Sequence, residues 1–202
     1  MDHPAELIDE LSREEVTGGQ IRDLVLCLDG ASGEGSNFLD QTGSLRASYW
    51  SPETADYNIH KRDSVEQWVE NAAANIQSEN LAPVHAIVSG EAAYGALLLG
   101  AHHPELLTSL VISDPLVDEN DEQYWDTLRN VHVPTLVIAS SSGLDTDITK
   151  PQTVAGGVAN GVFVIIEGTN VPSHQTRPAS FNEWASSFMT IAEGLRALHP
   201  AD

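Results

Sequence analysis

Short runs of consecutive apolar residues recur along the chain, with segments of helical spacing between them. Uninterrupted apolarity of this kind is typical of strands that are covered on both faces. We predict about six parallel strands in all. The clearest runs are LVLCL (24–28), VHAIV (84–88), SLVIS (109–113), TLVIAS (135–140) and VFVIIEG (162–168).

Three other segments have the apolar spacing of amphipathic helices. The first spans residues 4–16 and has an acidic outer face. The second spans residues 64–77, and Ser64 with Gln67 forms a capping-box pattern at its start. The third follows residue 177. Its predicted inner stripe comprises Phe181, Trp184, Ala185, Phe188, Ala192 and Leu195.

Strands that alternate with helices predict βαβ units, which build a doubly wound parallel sheet with helices on both faces. We therefore predict a three-layer α/β fold in a single domain of residues 1–202, with residues 1–20 as an N-terminal helical extension. In such sheets a ligand binds outside the carboxyl ends of the strands. The candidate site loops are residues 29–37, 51–58, 89–92, 114–120, 140–148 and 168–174.

The net charge of the chain argues against some classes of binding partner. The chain has 30 acidic and 9 basic residues, a formal net charge of -21, and no cluster of Lys and Arg. Phosphate groups would therefore meet no basic patch, so neither nucleic acid nor an anionic membrane is an expected partner.

Cysteine content and targeting signals bear on the compartment. Cys27 is the single cysteine and lies in an apolar run, so we expect a buried thiol and no intramolecular disulfide. The first residues lack a basic and apolar targeting pattern, and no apolar run approaches about 18 residues. The expected location is the cytoplasm.

One long stretch carries a family resemblance. PVHAIVSGEAAYGALLLGAHHPELLTSLVISDP (83–115) is similar, without a gap, to the nucleophile-elbow region of the α/β-hydrolase fold superfamily. VPTLVIASSSGLD (133–145) resembles the strand and loop that present that family's catalytic acid. VIIEGTNVPSHQTRPASFN (164–182) resembles the loop that presents its histidine. The resemblance covers roughly residues 23–190 and implies a minimal α/β-hydrolase fold.

The chemistry of that family needs an elbow serine, a histidine that takes its proton and a carboxylate that orients the histidine. By the resemblance, the serine position falls on Gly90, the acid position on Gly143 and the histidine position on Val171. None of these residues supplies a nucleophile, an acid or a base. The resemblance therefore implies a degenerate member of the fold without the usual triad.

Neighbouring residues are weak substitutes for the triad. Ser89 precedes the apex of the elbow, but alternation along a strand turns its side chain to the other face, away from a partner histidine. His174 lies three residues beyond the histidine position and is expected to be a rim or packing residue. Asp145 and Asp147 reach the site only if their loop is remodelled. The histidines have no metal-ligand spacing, so we predict no metal and no cofactor.

Backbone donors do not depend on the missing side chains. By the resemblance, the N–H groups of Glu91 and Ala31 occupy the oxyanion-hole positions, with Gly30 and Ala92 beside them, at the start of a helix. Acidic side chains nearby, such as Asp114, oppose a fully charged anion. The expected ligand is therefore a small neutral carbonyl compound or a zwitterion.

Two further features of the family are reduced. About twenty residues separate Asp114 from the next predicted strand, where relatives often insert a helical cap, so we predict no cap and a shallow pocket. The usual leading strands are also missing, which leaves a sheet edge to be covered by residues 1–20 or by another subunit. Four aromatic residues lie near the open rim of the sheet, and they are expected to be either anchors of such an interface or core residues. They are Tyr49, Trp50, Tyr124 and Trp125.

These observations favour a non-hydrolytic protein of this fold, a pseudoenzyme that binds a small carbonyl-containing ligand or a protein partner at the carboxyl edge of the sheet. Two alternatives stay open. One is an isomerase-type or epimerase-type enzyme, in which backbone donors polarise a carbonyl and Asp145 or Glu91 moves a proton. The other is an esterase-like hydrolase with a relocated triad of Ser89, His174 and Asp145.

Overall fold

A computed structural model describes residues 24–29, 38–47, 51–56, 64–78 and 81–198. Its centre is a six-stranded sheet in the order β2-β1-β3-β4-β5-β6, and every pair of neighbouring strands is parallel. The strands are β1 (Leu24–Asp29), β2 (Ser51–Asp56), β3 (Val84–Ser89), β4 (Leu107–Ser113), β5 (Thr135–Ser141) and β6 (Gly161–Glu167). The predicted α/β class and strand number are confirmed.

Helices cover both faces of this sheet. Within the described residues they are α1 (Leu39–Ala47), α2 (Val65–Ser78), α3 (Ala92–His102), α4 (Glu122–Asn130), α5 (Thr149–Gly157), α6 (Ser173–Thr176) and α7 (Pro178–Leu198), with a 3₁₀ turn at Pro104–Leu106. Helices α2 to α5 share one buried apolar cluster with the sheet, and α1 and α7 share the other. The result is the predicted three-layer arrangement, in which the central strands β3 and β4 are buried along their whole length.

The segment 51–58, predicted to be a loop at a strand end, is instead a strand over its first six residues. Among the strands that the structure describes, β2 lies at one edge of the sheet and pairs only with β1. Its sequence SPETAD has no apolar run and contains Pro52. Proline is tolerated on an edge strand, because one side of the strand has no ladder to complete. Hydrophobic patterning therefore does not find this strand.

The predicted inner stripe of α7 is also corrected. The residues buried against the sheet are Phe181, Ala185, Met189 and Ala192, which follow helical spacing. Trp184 and Leu195, expected inside, are each 48% exposed. Phe188, also predicted, is partly buried against the same cluster, so the predicted stripe is right in part, with Met189 inside it and Trp184 and Leu195 beside it.

Other local predictions can be compared directly. Cys27 is buried, as predicted, and burial raises the pKa of its thiol to about 12. The Ser64 hydroxyl accepts a hydrogen bond from the backbone N–H of Gln67 at 3.3 Å, which confirms the cap of α2. Tyr124 is fully buried in the core, with Trp125 against its ring at 5.1 Å. Tyr124 is thus a core residue and not a free interface anchor.

The connection from β4 to β5 contains one helix, α4, which packs on the core through Tyr124 and Leu128. The N-terminal helix predicted for residues 4–16 lies outside the described residues, as do Tyr49 and Trp50. Among the helices that the structure describes, none combines the length and the apolarity needed to cross a membrane.

Candidate site at the carboxyl edge of the sheet

Gly90 forms the turn between β3 and α3 with a left-handed backbone, φ 57°. Its N–H donates to the carbonyl of Ser113 at 3.2 Å, and its own carbonyl accepts from the N–H groups of Leu116 at 3.0 Å and Ala93 at 3.2 Å. A Cβ added at Gly90 would meet only Leu116 Cδ1, at 3.8 Å. The turn therefore has the backbone of an elbow and room for a side chain, but no side chain is present.

The neighbouring strand ends in a second left-handed turn, at Asp114, φ 47°. Asp114 is 7% exposed, and its carboxylate is surrounded by donors. Oδ1 accepts from Ser140 N at 2.6 Å. Oδ2 accepts from Ser173 N at 2.9 Å and from the hydroxyls of Ser140 at 2.9 Å, Ser113 at 3.0 Å and Ser173 at 3.3 Å. Charge-assisted bonds of this kind are the strong ones, and they compensate the burial of the carboxylate.

These bonds join the carboxyl ends of β4 and β5 to the segment after β6. Asp114 directly follows β4, Ser140 lies near the end of β5, and Ser173 is the first residue of α6. A backbone bond from Thr169 N to Ser141 O, 3.1 Å, adds a second link between the last two of these segments. One buried carboxylate thus links the ends of β4 and β5 to the start of α6, beside this backbone bond. An ionised carboxylate offers about four lone-pair directions. With five donors around it, the Asp114 carboxylate is already engaged.

Two positions that the resemblance assigns to the triad, Gly143 and Val171, lie on the outside of this network. Gly143 is exposed, its N–H donates to Thr146 Oγ1 at 3.2 Å, and its carbonyl accepts from Ser141 Oγ. Val171 is 63% exposed. Neither residue brings an acid or a base to the elbow.

The candidate acids after Gly143 do not replace the missing carboxylate. Asp145 is exposed in the loop before α5. Asp147 accepts from the N–H of Thr149 at 2.9 Å, at the start of α5, and hydrogen bonds from Thr149 lower the pKa of Asp147. Asp147 thus serves the local turn. No hydrogen bond joins Asp145 to His174 within residues 81–198, which the structure describes without a gap.

His174 and Ser89 lie on the same side of the sheet. Ile87 packs in the cluster that contains Phe38 and Phe181, and Ser89, two residues further along β3, has the same orientation. The His174 ring is 1% exposed, stacks on Phe38 with centroids 4.6 Å apart and meets Phe181 edge-on at 5.8 Å. The prediction that strand alternation turns Ser89 away from a histidine therefore does not hold. Even so, no hydrogen bond links the two side chains in the described segment 81–198.

The predicted oxyanion frame is described in part. Glu91 is exposed and Ala92 is buried at the start of α3, directly after the elbow. Gly30 and Ala31, the other half of the frame, lie outside the described residues. In the described part of the chain, no group of three or more His, Cys, Asp or Glu side chains could hold a metal ion.

Sequence reasoning missed the role of Asp114, which it took as one of several acids near the sheet edge. A signal was available in the residues around it. Asp114 directly follows the apolar strand SLVIS, and a carboxylate at the end of such a strand is expected to be buried. Serines occur at the ends of the neighbouring strands. A buried carboxylate requires donors, and hydroxyls next to backbone N–H groups supply them.

Comparisons with known proteins agree on the fold. No family model matches the sequence, and no curated protein matches it. Solved structures do match. BpoC of Mycobacterium tuberculosis H37Rv is 17% identical with a TM-score of 0.72, over 85% of this chain and 93% of that one. An α/β hydrolase from the metagenome of sediments of the Mar Chica lagoon, Morocco, is 13% identical with a TM-score of 0.73, over 85% and 92%.

A third match is CarC, a serine hydrolase involved in carbazole degradation, at 14% identity and a TM-score of 0.69, over 84% of this chain and 92% of that one. At such identities the likeness speaks for architecture and leaves activity open. The chain therefore has the α/β-hydrolase fold.

Proposed function

We propose that the protein is a non-hydrolytic member of this fold that binds a small, neutral, carbonyl-containing ligand at the carboxyl edge of the sheet. The observation that carries the proposal is the elbow itself. Gly90 keeps the left-handed turn and its three backbone hydrogen bonds, while the position of the nucleophile has no side chain.

The side chains that could act in place of a triad are already engaged or lie apart. Asp114 accepts from Ser113, Ser140 and Ser173. The His174 ring is enclosed by aromatic rings. Serine hydrolysis needs a hydroxyl, a base and an orienting acid in contact with one another. The described residues offer no such set, which supports a binding role over hydrolysis.

The class of ligand follows from what remains at the edge. The first N–H groups of a helix lack partners inside the helix and lie at the positive end of its dipole. At the start of α3 the N–H of Ala93 donates to the carbonyl of Gly90, and the N–H of Ala92 beside it suits the oxygen of a carbonyl group. Glu91 is exposed at the same turn, and the chain carries a net charge of -21, so an anion would be opposed. A neutral amide or ketone satisfies both conditions.

Hydrolysis is tested first, with p-nitrophenyl acetate. The full chain is expected to release p-nitrophenol no faster than an equal concentration of the Ser89→Ala variant, and both no faster than denatured protein. Turnover that disappears in Ser89→Ala would contradict a non-hydrolytic function.

Binding is tested separately by ¹⁵N-edited NMR of the full chain, with N-methylacetamide as the neutral carbonyl probe and acetate as its anionic counterpart. N-methylacetamide is expected to shift the amide resonances of residues 90–93 in a saturable manner, and acetate much less. Gly90→Ala places a methyl group within reach of Leu116 and should weaken the response. Equal responses to both probes, or none at residues 90–93, would contradict the proposed ligand class.

A further inference from the structure

A groove lies between α7 and the sheet, at the opposite end of the strands from the candidate site. It is lined by Leu107, Leu136 and Gly161, which are at or near the first residues of β4, β5 and β6. Gly90 and Asp114, in contrast, follow the last residues of their strands. The groove has a volume of about 790 Å³, which is within the range of small-molecule pockets. It is therefore a second site, separate from the elbow.

The apolar lining lies on one face of the sheet and on one side of α7. Leu136 and Val164 belong to the apolar cluster that α7 shares with the sheet. Val162, two residues before Val164 on β6, has the same orientation and so lies on the α7 side. The apolar lining residues of the helix recur at spacings of three and four, which places them on one side of it. They are Trp184, Phe188, Ile191 and Leu195. From Trp184 to Leu195 this stripe is about 16 Å long.

The polar end of the groove is formed by an arginine. Among the described residues that line the groove, Arg196 alone is charged, in a chain with 30 acidic and 9 basic residues. Its Nη1 donates to the hydroxyl of the buried Thr108 at 3.1 Å, which positions the guanidinium at the Leu195 end of the stripe. Glu193, one turn earlier on α7, does not line the groove, and its Oε1 lies 4.0 Å from Nε2 of His85 on β3. The groove thus combines an apolar length with a positive end.

We propose that this groove binds an aliphatic monocarboxylate, with the chain along α7 and the carboxylate on Arg196. Small-molecule pockets typically combine an apolar lining with a few polar groups that fix the orientation of the ligand. The planar guanidinium matches the two oxygens of a carboxylate, and charge-assisted bonds are the strong ones. An extended aliphatic chain fits a long groove whose apolar lining is mostly aliphatic. A cationic head group would meet no carboxylate among the described lining residues.

The net charge of -21 does not oppose a carboxylate at this place. At about 0.15 M salt the Debye length is about 8 Å, so charges that lie farther away are largely screened. The described lining contributes one positive charge and no negative one. At the candidate site, in contrast, Glu91 lies directly beside the backbone donors. The two sites therefore favour head groups of different charge.

An NMR titration of the ¹⁵N-labelled full chain with octanoate, at about 0.15 M salt, tests the proposal. Octan-1-ol and octylammonium carry the same chain with a neutral and a cationic head group. Octanoate is expected to shift the amide resonances of residues 160–162 and 184–196 in a saturable manner, with a roughly millimolar dissociation constant for a ligand of this size. Octan-1-ol should bind about fivefold more weakly, and octylammonium more weakly still.

Variants separate the head group from the chain. Arg196→Gln should weaken octanoate binding about fivefold and leave octan-1-ol binding within about twofold of the wild type. Arg129→Gln is the matched control, because it makes the same change of charge on α4, which packs on the other face of the sheet, and its octanoate binding should equal that of the wild type. Ile191→Ala shortens the apolar stripe at a residue that is 60% exposed, and it should weaken octanoate and octan-1-ol alike, by about threefold.

Three results would overturn the proposal. They are a wild type without saturable shifts at residues 160–162 and 184–196, equal affinities for octanoate and octan-1-ol, and octanoate binding that Arg196→Gln leaves unchanged. Each variant is accepted only if its thermal unfolding matches the wild type within a few degrees. Residues 90–93 report on the elbow in the same spectra, so failure at the groove is distinguishable from failure of the proposed function.

Discussion

Ser89-Gly90 and Ser113-Asp114 occupy equivalent places on neighbouring strands. Ser89 pairs with Ser113 in register at the carboxyl ends of β3 and β4, and the next residue of each strand adopts a left-handed backbone. At the first turn the residue is glycine, with open space where a side chain would be. At the second it is a buried aspartate with five hydrogen-bond donors around its carboxylate.

The same left-handed turn thus holds a glycine in one place and a buried carboxylate in the other. Glycine adopts positive φ at no steric cost, so the elbow needs no compensation. An aspartate at positive φ is less favourable by about 1 kcal/mol, and its strong hydrogen bonds offset that cost. Of the two turns, one has no side chain, whereas the carboxylate at the other accepts hydrogen bonds from two neighbouring segments.

The largest effect is expected at Asp114. Asp114→Ala removes the acceptor for the N–H groups of Ser140 and Ser173 and should lower the free energy of unfolding by about 3 kcal/mol. Asp114→Gly removes the same acceptor but relieves the left-handed strain, so its loss should be about 1 kcal/mol smaller. Urea denaturation followed by circular dichroism measures both. Losses below about 1 kcal/mol in both variants would show that the carboxylate does not hold the loops.

A smaller effect is expected at Gly90. Gly90→Ala should destabilise the protein by about 1 kcal/mol, because alanine is disfavoured at φ 57° although space for its methyl group exists. The control is Gly43→Ala on the exposed face of α1, where an added Cβ meets nothing within 4 Å. That variant should be stabilised by up to about 1 kcal/mol. Changes of opposite sign in the urea midpoints of the two variants would confirm that the two glycines differ in backbone strain. Changes of the same sign would contradict it.

The smallest contrast is between the two serines. Ser113→Ala removes a hydroxyl that donates to Asp114 and contacts Ser173 Oγ at 3.1 Å, so the free energy of unfolding should fall by about 1 kcal/mol. Ser89→Ala should change it by less than about 0.5 kcal/mol. An equal loss at Ser89 would indicate a hydrogen-bonding role that the account does not give it.

Patterns in the sequence predicted the buried strands because strands covered on both faces must be continuously apolar, as in VHAIVS and LTSLVIS. The assignment of the triad positions to Gly90, Gly143 and Val171 came from spacing within stretches that resemble a known fold, and it stays a prediction. Structure near these strands was predictable because local sequence and burial agree there.

Other elements depend on tertiary contacts that local patterns do not encode. α1 reads LDQTGSLRA, contains a glycine and has little amphipathic pattern, yet Phe38 and Leu45 at its buried side hold it against the sheet. The burial of Met189 and the exposure of Trp184 on α7 are set by what packs against the helix. The bonds from Asp114 join residues up to 59 positions apart, so no short motif could predict the network.

The central proposal is that the left-handed turn at Gly90 presents no nucleophile. The most direct test is intact-mass spectrometry after incubation of the folded protein with a fluorophosphonate, which reacts with activated serines. The account predicts an unchanged mass, identical to that of the Ser89→Ala variant treated in parallel. A stoichiometric adduct on the wild type that maps to Ser89 and is absent from Ser89→Ala would contradict it.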